Sequence, residues 1–103
     1  MIKTNLRDKV VIITGASSGI GKVTAIRLAH DGAWIVLAAR REQDLEAVAQ
    51  EIQAIGAKAL VIPTDVSDQQ QAEYLVTKTI FHWKKVDVLI ANAGEYVRGQ
   101  VTE

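Results

Sequence analysis

Cysteine is absent from the 103-residue chain. That one absence removes disulfides, thiolate nucleophiles and zinc-thiolate sites together, and it is compatible with a reducing compartment. Charge of one sign is lacking as well. Twelve Lys and Arg balance twelve Asp and Glu, for a formal net charge of +0, so nothing points to nucleic acid or an anionic membrane as partner. No apolar run approaches the roughly 20 residues that span a bilayer. The opening stretch Met1 to Lys9 has no apolar core of the kind a secretory signal carries. The expectation from these absences is a soluble, cytoplasmic protein.

What is present is an ordinary globular share of apolar residues, 49%, enough to argue against disorder. The length allows one domain, burying roughly 65% of its unfolded surface. Strand-like and helix-like periods alternate along it. Val10 to Thr14 is a short β-branched run, the pattern of a strand covered on both faces. Ile20, Val23, Thr24 and Leu28 recur at helical spacing, and Asp31-Gly32 supplies a stop. Trp34 to Ala39 reads as a second buried strand. Leu45, Val48, Ala49, Ile52 and Ile55 then mark an apolar helix stripe, closed by Gly56 in a left-handed position.

Lys58 to Ile62 reads as a third strand ended by Pro63, which cannot donate to a ladder. Ser67 to Gln70 fits a capping box with Ser67 as N-cap. The helix it opens carries Ala72, Leu75, Val76, Thr79, Ile80 and Trp83 on one face, and Val86 to Ala91 reads as a fourth strand. This β-α-β-α-β-α-β order predicts an α/β fold: a parallel sheet with right-handed crossovers and helices on both faces.

The most informative stretch is Thr14-Gly15-Ala16-Ser17-Ser18-Gly19-Ile20-Gly21, between the first strand and the first helix. A phosphate-binding turn needs glycines for a tight reversal, close backbone approach to a pyrophosphate and close helix-strand packing. The free N–H groups and positive dipole end of the new helix then face the anion. Ser17 and Ser18 can add hydroxyl donors. A glycine cluster alone often just makes a turn, and the spacing here is not G-x-G-x-x-G. Its place at the opening of the first βαβ unit is what favours a phosphate role.

With Asp65-Val66 after the third strand and Asn92-Ala93-Gly94 after the fourth, the T-G-x-x-x-G-I-G turn resembles the short-chain dehydrogenase/reductase family. The resemblance covers residues 5 to 103 and implies a Rossmann-type doubly wound parallel sheet, followed here as far as its fourth strand. It implies that residues 1–103 are the N-terminal part of a single NAD(P)-binding domain. It assigns Gly15, Ser17, Ser18, Gly19, Ile20 and Gly21 to the dinucleotide phosphates, Asp65 and Val66 to the adenine ring, and Asn92, Ala93 and Gly94 to the cofactor ribose. Two departures stand out. Ala91 replaces the first Asn of the usual Asn-Asn-Ala-Gly, and Lys84 replaces a glycine after the third helix.

An NAD enzyme ends its second strand with an acidic residue for the ribose hydroxyls. Here that end reads Ala38-Ala39-Arg40-Arg41. Losing the carboxylate removes repulsion against a 2′-phosphate, and an arginine supplies a bidentate, permanently charged partner. NADP is therefore expected rather than NAD, with Arg40 the main 2′-phosphate ligand and Arg41 assisting. The plain alternative is two solvated arginines at a strand end.

The family's catalytic pair is Tyr-x-x-x-Lys with a serine upstream. Tyr74 and Lys78 have that spacing, but they precede the fourth strand instead of following it, so they are not read as catalytic. Tyr96 has Gln100 four residues on, and His30 and His82 fall near helix ends without a metal or hydrolytic grouping. The resemblance thus implies an oxidoreductase acting on a small-molecule carbonyl/alcohol substrate only in a longer chain, with residues 1–103 inert alone. A doubly wound strand order would leave the fourth strand at the sheet edge, where its apolar residues favour a homo-oligomer. A stand-alone nucleotide-binding module, or a self-associating remnant without activity, is the alternative.

Overall fold

Runs of β-branched and leucine side chains have nowhere to go but between two layers of helices, and that is where they lie. The computed structural model describes residues 5–92. Its elements are β1 (Val10–Thr14), α1 (Gly19–His30), β2 (Trp34–Ala39), α2 (Glu42–Ala54), β3 (Ala59–Pro63), α3 (Gln69–Trp83) and β4 (Val88–Ile90). All pairings are parallel, in the order β3-β2-β1-β4. The expected α/β, Rossmann-like architecture is what forms. None of the described helices is long and apolar enough to cross a membrane.

Alternation along the strands sorts the core into two layers. Val11, Ile13, Ile35 and Leu37 point to one face and pack with Ala25 and Ala29 of α1 and Leu45, Val48, Ala49 and Ile52 of α2. Val10, Ile12, Val36, Ala38 and Ile62 point to the other and meet Leu75 of α3. Full burial of each such Val, Leu or Ile contributes about 1.5–3 kcal/mol. β1, lying between β2 and β4, is buried on both faces throughout.

The α2 stripe is buried as its spacing predicts, although Ile55 at its end is 42% exposed. Gly56 closes the helix at φ +86°, its N–H donating to Gln53 O at 2.9 Å. The expected stripe of α1 fails at Ile20 and Val23, while Leu28 packs partly buried against the core. Gly21, Ala25 and Ala29 are its buried residues, whereas Ile20 and Val23 are 75% and 67% exposed. Small side chains every fourth residue let this helix sit close on the sheet, with Ile26 and Leu28 packed partly buried against the core beside them.

Two further expectations shift. The N-cap of α3 is Asp68, which accepts from the N–H groups of Gln70 and Gln71, not Ser67. The Ser67 hydroxyl is drawn instead to Asp65. β4 is shorter than the run 86–91, because Asp87 replaces strand pairing with a two-way clasp: its N–H donates to Val10 O and its carboxylate accepts from Val10 N–H at 2.8 Å. Pro63 is the last residue of β3 rather than the one after it, on an edge strand where its missing donor is tolerated. As expected, β4 forms the other edge, with Val88 and Leu89 exposed.

Candidate dinucleotide site

The central relationship is the reversal of strand order at β1, whose neighbours β2 and β4 are reached by chains running to opposite sides. In open α/β sheets such a reversal leaves a crevice beyond the carboxyl ends of the strands. Here that crevice is a cleft of about 1590 Å³, floored by the ends of β1, β2 and β3 and the chain after β4. A smaller groove of about 430 Å³ lies at the opposite end of the sheet, beside His30. There the polar groups satisfy one another: Trp34 Nε1 donates to Asp8 at 3.1 Å and Lys58 Nζ sits 4.1 Å from the Trp34 ring centroid.

The glycine turn forms one wall of the cleft. Gly15 is left-handed at φ +64°, and a Cβ there would collide with the carbonyl oxygen of Asn92. A Cβ on Gly21 would strike the Gly15 carbonyl and the Asn92 side chain, so its hydrogen is what lets α1 close on the turn. Gly19 differs. Its Cβ would meet nothing within 4 Å, and what it provides is a φ of +59° at the mouth of the helix. Ser18 precedes it in an extended conformation and makes no side-chain cap, leaving the first amides of α1 open to an anion. Ser17 is half-buried, and Ser17, Ser18, Gly19 and Ile20 all line the cleft.

Asn92 does more bracing than the resemblance implies. Its N–H donates to Thr14 Oγ1 at 2.8 Å and its side-chain amide lies 3.5 Å from the Gly15 carbonyl oxygen. It still lines the cleft. Ala93 and Gly94 lie outside the described residues. Thr14 was not singled out by the sequence as a site residue, because its role depends on a partner 78 positions away.

Opposite the glycine turn, Arg40 and Arg41 leave the end of β2 exposed and line the cleft together with Asp44 from the first turn of α2. No ion pair among the described residues ties up either guanidinium. Asp65 and Val66 follow β3 onto the same surface. Two hydrogen bonds donated by Ser67, from its hydroxyl and its backbone N–H, hold the Asp65 carboxyl below its ordinary value despite partial desolvation, and the Arg40 charge adds to this. The structure therefore brings Gly15, Ser17, Ser18, Gly19, Ile20, Arg40, Arg41, Asp65, Val66 and Asn92 around one cleft, while Gly21 is buried behind the turn and does not line it.

Tyr74 and Lys78 are elsewhere. Tyr74 is 54% exposed on α3 with Lys78 Nζ 5.7 Å from its ring centroid, and neither residue lines the cleft. Of the residues the sequence did not single out, Gln71 is the one with a readable signal: it stands three positions after the Asp68 cap, at capping-box spacing, although its Oε1 accepts from the Asp65 N–H while the Asp68 N–H donates to Asp65 O.

Comparison with known proteins agrees with this architecture. Residues 9–103 match the family model described as short chain dehydrogenase. An uncharacterized oxidoreductase of Listeria monocytogenes is 48% identical over 89 residues, which cover 86% of this chain and 36% of that protein. An 11-beta-hydroxysteroid dehydrogenase-like protein of Arabidopsis thaliana is 44% identical over 93 residues, or 89% of this chain and 30% of its own length. Among solved structures, a hydroxysteroid dehydrogenase from Escherichia coli superposes with a TM-score of 0.82 at 36% identity, covering 84% of this chain and 37% of that one. A metagenomic short-chain oxidoreductase in complex with NADP gives 0.79 at 36% identity, covering 84% and 39%. The chain spans about a third of the length of these two curated relatives, 36% and 30%. Sheet order, glycine turn and these matches agree: the chain belongs to the short-chain dehydrogenase/reductase family.

Proposed function

We propose that residues 1–103 are the NADP(H)-binding portion of an oxidoreductase that moves hydride between the nicotinamide and a carbonyl/alcohol substrate. The catalytic serine, tyrosine and lysine and the substrate pocket belong, in this reading, to a longer chain. The observation that carries the NADP preference is the pair Arg40-Arg41 beside Ala39, facing the same cleft as the open start of α1. A 2′-phosphate there meets two guanidinium groups and no carboxylate from the end of β2. The solved relative that carries NADP is in keeping with it.

Each residue has a task in this reading. The amides of Gly19, Ile20 and Gly21 and the hydroxyls of Ser17 and Ser18 hold the diphosphate. Arg40 grips the 2′-phosphate with help from Arg41. Asp65 and Val66 flank the adenine, and Asn92, Ala93 and Gly94 run beside the ribose. When bound, the nicotinamide supplies or accepts the hydride. The residues of this chain bind and orient it.

Titration of NADPH and NADH into the wild type and Arg40→Ala, followed by calorimetry, tests this. NADPH should bind more tightly than NADH, and Arg40→Ala should weaken NADPH by about tenfold, the loss of one charge-assisted hydrogen-bonding partner. Equal wild-type affinities would defeat the NADP assignment. A second reading, a self-associating module without catalysis, draws on the exposed Val88 and Leu89 at the β4 edge. Sedimentation of the 103-residue chain separates the two, since a monodisperse monomer at high concentration removes that alternative.

A further inference from the structure

We propose that Ser67 and Gln71 are positioning residues that preset Asp65 to accept a hydrogen bond from the amino group of the adenine, making base selectivity a property of the loop between β3 and α3. This inference rests on the dinucleotide reading above.

The loop is built around Asp65 from both sides. Before it, buried Thr64 is pinned twice: its N–H donates to Ala39 O at 2.7 Å and its hydroxyl to Ile62 O at 2.8 Å. After it, the N–H of Ser67 donates to Asp65 Oδ1 at 3.0 Å and the Ser67 hydroxyl donates to the same oxygen at 2.6 Å. Gln71 reaches back from the first turn of α3. Its Oε1 accepts from the Asp65 N–H at 2.8 Å and its Nε2 donates to Asp68 Oδ2 at 3.3 Å. Asp68 in turn caps the helix through Oδ1. The backbone of Asp65 is thus fastened to α3, and its carboxylate is fixed in rotation.

The consequence is chemical. Both Ser67 donors fall on Oδ1, and among the described residues nothing donates to Oδ2. Asp65 lines the cleft, and its Oδ2 is left as an acceptor on a group that these hydrogen bonds keep ionised. A 6-amino purine offers a donor to it. A 6-keto purine presents an oxygen instead and is repelled. Selectivity of this sort needs the carboxylate held still, because a freely rotating one would turn away from the keto group at little cost.

The test compares NADPH with its hypoxanthine analogue, in which oxygen replaces the 6-amino group, in the full chain and its variants. The wild type should prefer NADPH by about tenfold, the scale of one hydrogen bond to a charged acceptor. Ser67→Ala and Gln71→Ala should each lower that ratio to about twofold, whereas Ser67→Thr, which keeps the hydroxyl, should hold it near the wild-type value. A general loss of stability weakens both ligands alike and leaves the ratio alone. If Gln71→Ala fails to fold, the Ser67→Ala and Ser67→Thr pair decides. A wild-type ratio near one overturns the inference, as does an unchanged ratio in Ser67→Ala, and both results leave dinucleotide binding intact. Failure of the wild type to bind either compound removes the dinucleotide reading itself and this inference with it.

Discussion

The backbone N–H of Asn92 donates to the hydroxyl of Thr14 at 2.8 Å, joining the chain after β4 to the end of β1 across 78 positions. This bond braces the chain after β4 against the start of the glycine turn, where the Asn92 side chain also approaches the Gly15 carbonyl. Thr14 is only 5% exposed, so its hydroxyl is where the Asn92 N–H finds a partner away from water. Thr14→Val keeps the shape and deletes the acceptor. It should cost about 1–3 kcal/mol of stability, the penalty for a donor left unsatisfied. Urea unfolding checks it, with Thr14→Ser expected to recover most of the loss.

The glycines of the turn should separate by mechanism. Gly21→Ala drives a methyl into the Gly15 carbonyl and the Asn92 side chain. Overpacking of this kind costs about 1–3 kcal/mol and displaces the turn, so melting temperature and NADPH affinity should fall together. Gly19→Ala meets no atom but keeps a φ of +59°. Its cost is conformational, about 1–2 kcal/mol. Thermal melts run beside cofactor titrations would contradict this account if Gly21→Ala proved the milder change.

Lys84 ends α3 in the left-handed region at φ +71°, its N–H donating to Ile80 O at 2.8 Å. A side chain is disfavoured there and glycine is not. Lys84→Gly should raise stability by about 1 kcal/mol. The exposed contact of its Nζ with Phe81 O at 3.3 Å is a small loss against that. Denaturant midpoints should move upward with an unchanged slope.

The Asp87 carboxyl is held below its ordinary value of 3.8, chiefly by the Val10 N–H, which outweighs the opposing desolvation, with Lys85 and Lys9 adding to the lowering. A carboxyl with a depressed folded-state pKa stabilises the fold above its unfolded value. That contribution disappears as the pH falls through the folded one. Asp87→Asn should therefore be less stable than wild type at neutral pH, and the gap should close as the pH drops below 3.8. A gap independent of pH in thermal melts would show that charge is not what the clasp uses.

Much of this molecule was legible locally. Continuous runs such as Val10–Thr14 and Trp34–Ala39 announce doubly covered strands because a parallel sheet leaves them no polar face. The α2 stripe and its Gly56 stop obey helical period and left-handed geometry, which are properties of neighbouring residues. The glycine turn was readable for the same reason: its spacing encodes backbone conformation.

Other features depended on what lies across the fold. The buried face of α1 is Gly21, Ala25 and Ala29 because the distance from helix to sheet, not hydrophobicity, selects the side chains that fit. Ser67 and Asp68 are both competent caps, and the choice fell to Asp68 once Ser67 was engaged by Asp65. Thr14 and Asn92 became partners only when parallel pairing of β1 with β4 placed them side by side. Amino-acid order alone determined which segments become strands and helices and where the glycine turn sits, since those follow from short-range sterics and periodicity. The meeting of that turn with Asn92, Arg40 and Asp65 in one cleft was decided by tertiary packing, because hydrogen bonds between distant residues leave no periodic trace in a chain.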